Sequence, residues 1–125
     1  MKIKSQFKLT YKEWLGKMFA MYKNESAGKR GLTFTLTMED IEELLVEKKC
    51  FYCEKRGTYT HDTQDKGVIR SCGIDRVNNT EGYTKINCVP CCKMCNRTKG
   101  AMLIGRLANL SKIYNKMLEF NTKQS

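Results

Sequence analysis

The sequence predicts an α+β fold, in which a β-hairpin and a helix are stapled by zinc and flanked by N-terminal helices and a C-terminal helix. Three observations predict it. Two C-x-x-C pairs, Cys50/Cys53 and Cys92/Cys95, bracket the middle of the chain. Apolar residues recur at helical spacing on both sides of that middle. Between the pairs, Asn78-Asn79-Thr80-Glu81-Gly82 makes a turn-rich bend between two short extended arms. The 125 residues suit one domain spanning 1–125, with a helical region over 1–49, the zinc-bound core over 50–100 and a C-terminal helix over 101–125.

Each element has its own signal. Residues 2–8 are basic and read as an exposed arm. From Tyr11 to about Asn24, Tyr11, Trp14, Leu15, Met18, Phe19 and Tyr22 form one helical face, and Thr10 with Glu13 makes a capping box. The stretch from Glu25 to Gly31 is rich in turn formers and ends that helix. Leu32, Phe34 and Leu36 alternate with threonines over a length too short for a firm strand. Thr37 caps a second helix, whose first turn holds Glu39 and Asp40 and whose buried face is Ile41, Leu44 and Leu45. Residues 54–70 are polar, punctuated by glycine and read as irregular. The hairpin arms are expected at about Cys72–Val77 and Lys85–Val89, with a helix from about Cys92. The last helix starts near Met102 and carries Leu103, Leu107, Leu110, Tyr114 and Met117. This stripe is expected to be a core face, with a homodimer seam as the alternative.

Composition narrows the function classes. The net charge is +10, from 23 Lys/Arg against 13 Asp/Glu, which suits a polyanionic partner, nucleic acid first among them. No run approaches transmembrane length, so no membrane role is expected. Seven cysteines accompany an N-terminus without a signal-peptide pattern. The expected setting is intracellular, a reducing cytoplasm, where paired cysteines point to metal rather than to disulfides.

The two-residue gap in C-x-x-C lets both thiolates meet one ion, and two such pairs close a tetrahedral structural site. Cys88 and Cys91 share the spacing. Cys92 and Cys95 are preferred because they would lie one turn apart at a helix start. Cys72, Cys88 and Cys91 then read as small buried hydrophobes.

The segment containing Gly73-Ile74-Asp75-Arg76, Gly82-Tyr83-Thr84, Asn87, Cys92-Lys93-Met94-Cys95-Asn96 and Lys99-Gly100 resembles the core of HNH (ββα-metal) endonucleases. The likeness is to the phage-type zinc-binding subgroup, and Cys50/Cys53 fits the same pattern. The resemblance covers residues 50–100. It implies a metal-dependent endonuclease that hydrolyses the phosphodiester bonds of DNA, of phage or viral origin, with RNA left open as substrate. It assigns Asp75 and Asn96 as ligands of a catalytic Mg²⁺ or Mn²⁺, held by oxygen donors. Asn87 becomes the structural brace of the hairpin. Lys85, Arg97 and Lys99 become nucleic-acid contacts. Any specificity is expected from parts outside the motif, first the basic arm and the first helix, with Lys12, Lys17, Lys23, Lys29 and Arg30. The departure is Arg76, where the family usually has the histidine that activates water. Arginine stays protonated and is a poor base, so it is expected to clamp phosphate. The base must then be another group or water on the metal. His61, the only histidine, is the first candidate, with Tyr59, Tyr52 and Tyr83 behind it. The rival reading is a non-catalytic zinc module that binds nucleic acid within a larger assembly.

Overall fold

A computed structural model of the chain describes residues 8–100 and 104–124. The basic arm up to residue 7, the expected helix start at Met102, and Leu103 lie outside the described residues.

Helix α1 (Tyr11–Ala20) begins at the expected capping box: the Glu13 N–H donates to Thr10 Oγ1, and the Thr10 N–H donates to the Glu13 carboxylate. The chain does not stop at Glu25. It continues through a π-helical segment (Met21–Ala27) and a 3-10 turn (Gly28–Arg30), and ends at Gly31 with a φ of 65°. Glycine takes that left-handed conformation without a Cβ penalty, which is why the helix can close there and not earlier. Leu32 to Leu36 forms no strand, and Phe34 makes a single bridge to Tyr83. Helix α2 (Met38–Leu45) has the same reciprocal cap, between Thr37 and Asp40. It buries Ile41 and Leu45 and packs on the strands that follow.

Residues 54–70, expected to be irregular, contain a hairpin instead. Strand β1 (Tyr59–Thr63) pairs antiparallel with β2 (Gly67–Ser71), with His61 opposite Ile69. The strands were hard to see because only Thr63, Ile69 and Ser71 are buried, so no apolar alternation marks them. Gly67, with a φ of 68°, supplies the turn.

The expected second hairpin forms with a shifted return arm. Strand β3 (Gly73–Arg76) pairs antiparallel with β4 (Cys88–Cys91), placing Asp75 opposite Val89. Lys85 lies outside the strand, in a 3-10 turn (Lys85–Asn87). In the connecting loop, a β-carbon on Gly82 would overlap the Thr33 carbonyl. Glycine is required there so that Tyr83 can exchange backbone hydrogen bonds with Thr33 and Thr35. Helix α3 (Lys93–Lys99) follows directly, capped by Cys92. The N-terminal helices and both hairpins share one core that includes Trp14, Leu15, Ile41, Leu45, Ile69 and Ile74.

Helix α4 (Ile104–Gln124) overturns one expectation. Its apolar stripe is not a core face: Leu110, Tyr114 and Met117 are 45%, 60% and 64% exposed, and Leu107 is half-buried. Periodicity specifies that a helix has an apolar face but not what covers it, and among the described residues none of α4 joins the core. No described helix is long and apolar enough to cross a membrane.

Candidate functional site

The cysteines selected from sequence converge. The sulfurs of Cys50, Cys53, Cys92 and Cys95 all lie within 4.8 Å of one another, and those of Cys53 and Cys92 are 3.7 Å apart. A tetrahedral zinc with bonds of about 2.3 Å has sulfur–sulfur edges of about 3.8 Å, so the four thiols fit that ion. Local structure makes the fit. Cys50 opens a tight turn in which the Glu54 N–H donates to the Cys50 carbonyl, with Glu54 at a φ of 61°. The Phe51 N–H donates to the Pro90 carbonyl, tying this knuckle to β4. Cys92 caps α3 and accepts the Cys95 N–H on its sulfur, which sets the second pair one turn apart.

The electrostatics suit a cation. Burial works against ionisation of Cys50, but backbone hydrogen bonds from Cys53, Cys92 and Tyr52 outweigh it and bring its thiol down to about 6. The Cys95 thiol is pushed up, first by burial and then by the sulfurs of Cys92, Cys53 and Cys50. Such a crowd of sulfurs is deprotonated together only when a metal balances it. The remaining cysteines are packing residues. Cys72 and Cys88 are buried and pushed up to about 11, and Cys91 to about 12, burial being the largest cause in each.

Asp75 forms a second centre beside the first. It projects from β3, is 5% exposed, and accepts a 2.6 Å hydrogen bond from the Tyr52 hydroxyl on Oδ2. Tyr52 lies between the two cysteines of the first knuckle, so the sulfur cluster also positions the phenol. Lys99 Nζ lies 3.2 Å from Oδ1 and 3.2 Å from Oδ2 of Asp75. It also donates to the Arg76 carbonyl at 2.9 Å and to Asn79 Oδ1 at 3.5 Å. Lys99 was expected at the surface as a nucleic-acid contact. It is instead buried, 8% exposed, because it shares the inward face of α3 with Cys92 and Cys95.

The hairpin loop is held by Asn87 and Arg76. Asn87 accepts the Asn78 N–H and donates its amide to the carbonyls of Asn78 and Gly82. Arg76 directs Nη1 to the carbonyls of Asn79 and Glu81, at 2.8 Å each, and sets its guanidinium 5.5 Å from the Tyr83 ring centre. In this arrangement that nitrogen secures the loop and is not turned out as a phosphate clamp.

One concave pocket of about 620 Å³ collects the candidates: Asp75, Arg76, Asn96 and His61 all line it, with Tyr22 and Arg30 on the helical side. Asn96 is exposed on α3, the turn after Cys92, and its side-chain amide makes no hydrogen bond among the described residues. His61 is half-buried with its ring 4.8 Å from that of Trp14, and burial lowers its pKa below the ordinary 6.5. Its imidazole is therefore neutral at neutral pH and able to accept a proton. Tyr52 drops out as a base: burial first, then its bond to Asp75, raise its pKa, so it keeps its proton. Tyr83 is buried and Tyr59 lies at the pocket wall. Lys85 is exposed and pairs with Asp40 at 3.7 Å, while Arg97 stands exposed on α3. Sequence reasoning missed Tyr22, whose hydroxyl accepts the Ile74 N–H next to Asp75.

No family model matches the chain, and no solved structure matches it. The chain is similar to an uncharacterized protein of Acanthamoeba polyphaga mimivirus, with 42% identity over 84 residues. The match covers 67% of this chain and 14% of that protein, so the chain spans only a small part of its relative's length.

Proposed function

We propose that the chain is a metal-dependent endonuclease acting on DNA, with a zinc-stapled ββα-metal core. The observation that carries this reading is that Asp75 and Asn96 open onto one pocket while adjoining a four-cysteine cluster. Asp75 supplies a carboxylate and Asn96 an amide oxygen, the hard donors that Mg²⁺ or Mn²⁺ prefers. A divalent cation held there would polarise the scissile phosphate as a Lewis acid.

The chain's own residues account for the remaining requirements. Zinc held by the four cysteines would fix Cys92 and Cys95, and with them the helix that carries Asn96. His61, held neutral by burial, removes the proton from the attacking water. Arg76 and Asn87 keep the loop beside Asp75 in shape. The charge of +10 and the exposed Arg97 draw the phosphate backbone to the pocket.

A second reading, a zinc module that binds nucleic acid without cutting it, is favoured by one observation: Lys99 already neutralises Asp75. The two readings part in a cleavage assay. Zinc-loaded protein is incubated with supercoiled plasmid, branched DNA and single-stranded DNA, in Mg²⁺ or Mn²⁺ against EDTA. Cleavage of any substrate that EDTA abolishes supports the nuclease. Binding to all three without cleavage supports the module.

A further inference from the structure

We infer that Lys99 is a built-in competitor for the divalent cation, its ammonium occupying the oxygen cage around Asp75 so that metal loads only as Lys99 leaves. The inference rests on the reading of Asp75 as a metal ligand. The ammonium is surrounded by both oxygens of Asp75, the Arg76 carbonyl and the Asn79 amide oxygen, at 2.9 to 3.5 Å. Carboxylate, backbone carbonyl and amide oxygen are the donors a hard cation selects. The lysine side chain is 8% exposed and that of Asp75 6%, so solvent screens the pair little.

Charge then makes the two cations exclusive. Asp75, Lys99 and the neutral Tyr52 sum to zero. A divalent ion entering beside a retained ammonium would meet a like charge a few ångströms away at low dielectric. Lys99 can leave because its charge rides on a flexible four-carbon stem in the last turn of α3, just before Gly100, which has a φ of 54°. Asn79 lines the same pocket as Asn96, so the vacated cage faces the second expected ligand.

The test is Mn²⁺ titration of the zinc-loaded full chain by calorimetry, comparing wild type, Lys99→Met and Asp75→Ala. Lys99→Met should bind Mn²⁺ more tightly than wild type by roughly tenfold or more, the change expected when a competing ion pair worth at least ~1.4 kcal/mol is removed. Equal or weaker binding overturns the inference. Removing the partner of a buried carboxylate can unfold a domain, so a second measurement uses wild type alone. Acylation of Lys99 by an amine reagent, read by mass spectrometry, should be slow without Mn²⁺ and rise at saturating Mn²⁺. Unchanged protection overturns the inference. Mn²⁺ bound equally by wild type and Lys99→Met, and lost in Asp75→Ala, removes only the competitor role. Mn²⁺ binding that Asp75→Ala leaves intact removes the metal reading of Asp75 with it.

Discussion

At the scale of single residues, His61 carries the clearest pH dependence. Its folded pKa lies below the unfolded value of 6.5 because burial disfavours the imidazolium. The folded protein therefore binds fewer protons than the unfolded chain between the two values. Stability from this group is present above 6.5 and is lost as pH falls through the lowered pKa. If His61 is the base, the rate of cleavage reaches its plateau at a lower pH than an ordinary imidazole would give. A pH–rate profile of wild type against His61→Gln checks this, and an unchanged profile in the variant would remove His61 from the chemistry. Asp75 and Asn96 came from the resemblance to the HNH core and His61 from being the only histidine, and the structure lines one pocket with all three. It could not reveal that Lys99 and Tyr52 both bond Asp75, or that Arg76 turns into its own loop. The contacts of Tyr52 and Lys99 with Asp75 join residues distant in sequence, those of Arg76 depend on how its loop closes, and Lys99 looks like any surface lysine until the inward face of α3 is known. The signal was available in its spacing from Cys92 and Cys95, which puts it on the face that the two cysteines turn inward.

At the scale of elements, two helices with similar apolar periodicity have opposite fates. Ile41 of α2 is fully buried, whereas Leu110 of α4 is 45% exposed. Ile41→Ala should cost about 2–5 kcal/mol of unfolding free energy. Leu110→Ala, well exposed on its helix, should stay within about 0.5 kcal/mol. Denaturant titration of both variants checks the contrast, and a large loss for Leu110→Ala would mean that α4 is covered in solution. Thr37→Ala removes half of a reciprocal cap and should cost about 1 kcal/mol. The caps of α1 and α2 were legible because capping is local chemistry over four residues. The β1–β2 hairpin was not, since its strands expose most of their side chains and are specified by backbone pairing with each other. The last helix was read correctly as a helix and wrongly as core, because burial depends on a partner that periodicity does not name.

At the scale of the whole molecule, the four-cysteine cluster joins the first knuckle to the start of α3, beside the bonds of Phe51 to Pro90 and Tyr52 to Asp75. Chelation of its metal should unfold the 50–100 region, seen as loss of circular dichroism in step with released zinc. Retention of structure in metal-free protein would show that the apolar core suffices. The positive charge predicts that DNA affinity falls steeply as salt rises, with a linear dependence of log K on log salt, measured by fluorescence anisotropy. A flat dependence would mean that phosphates are not the contact. Whether Asp75 holds the cation proposed to drive phosphodiester hydrolysis is decided by plasmid nicking with wild type and Asp75→Ala. Both proteins are first matched for bound zinc and for circular dichroism. Open circles are expected from wild type in Mg²⁺ or Mn²⁺ and none from Asp75→Ala. Equal nicking by the two proteins would contradict it.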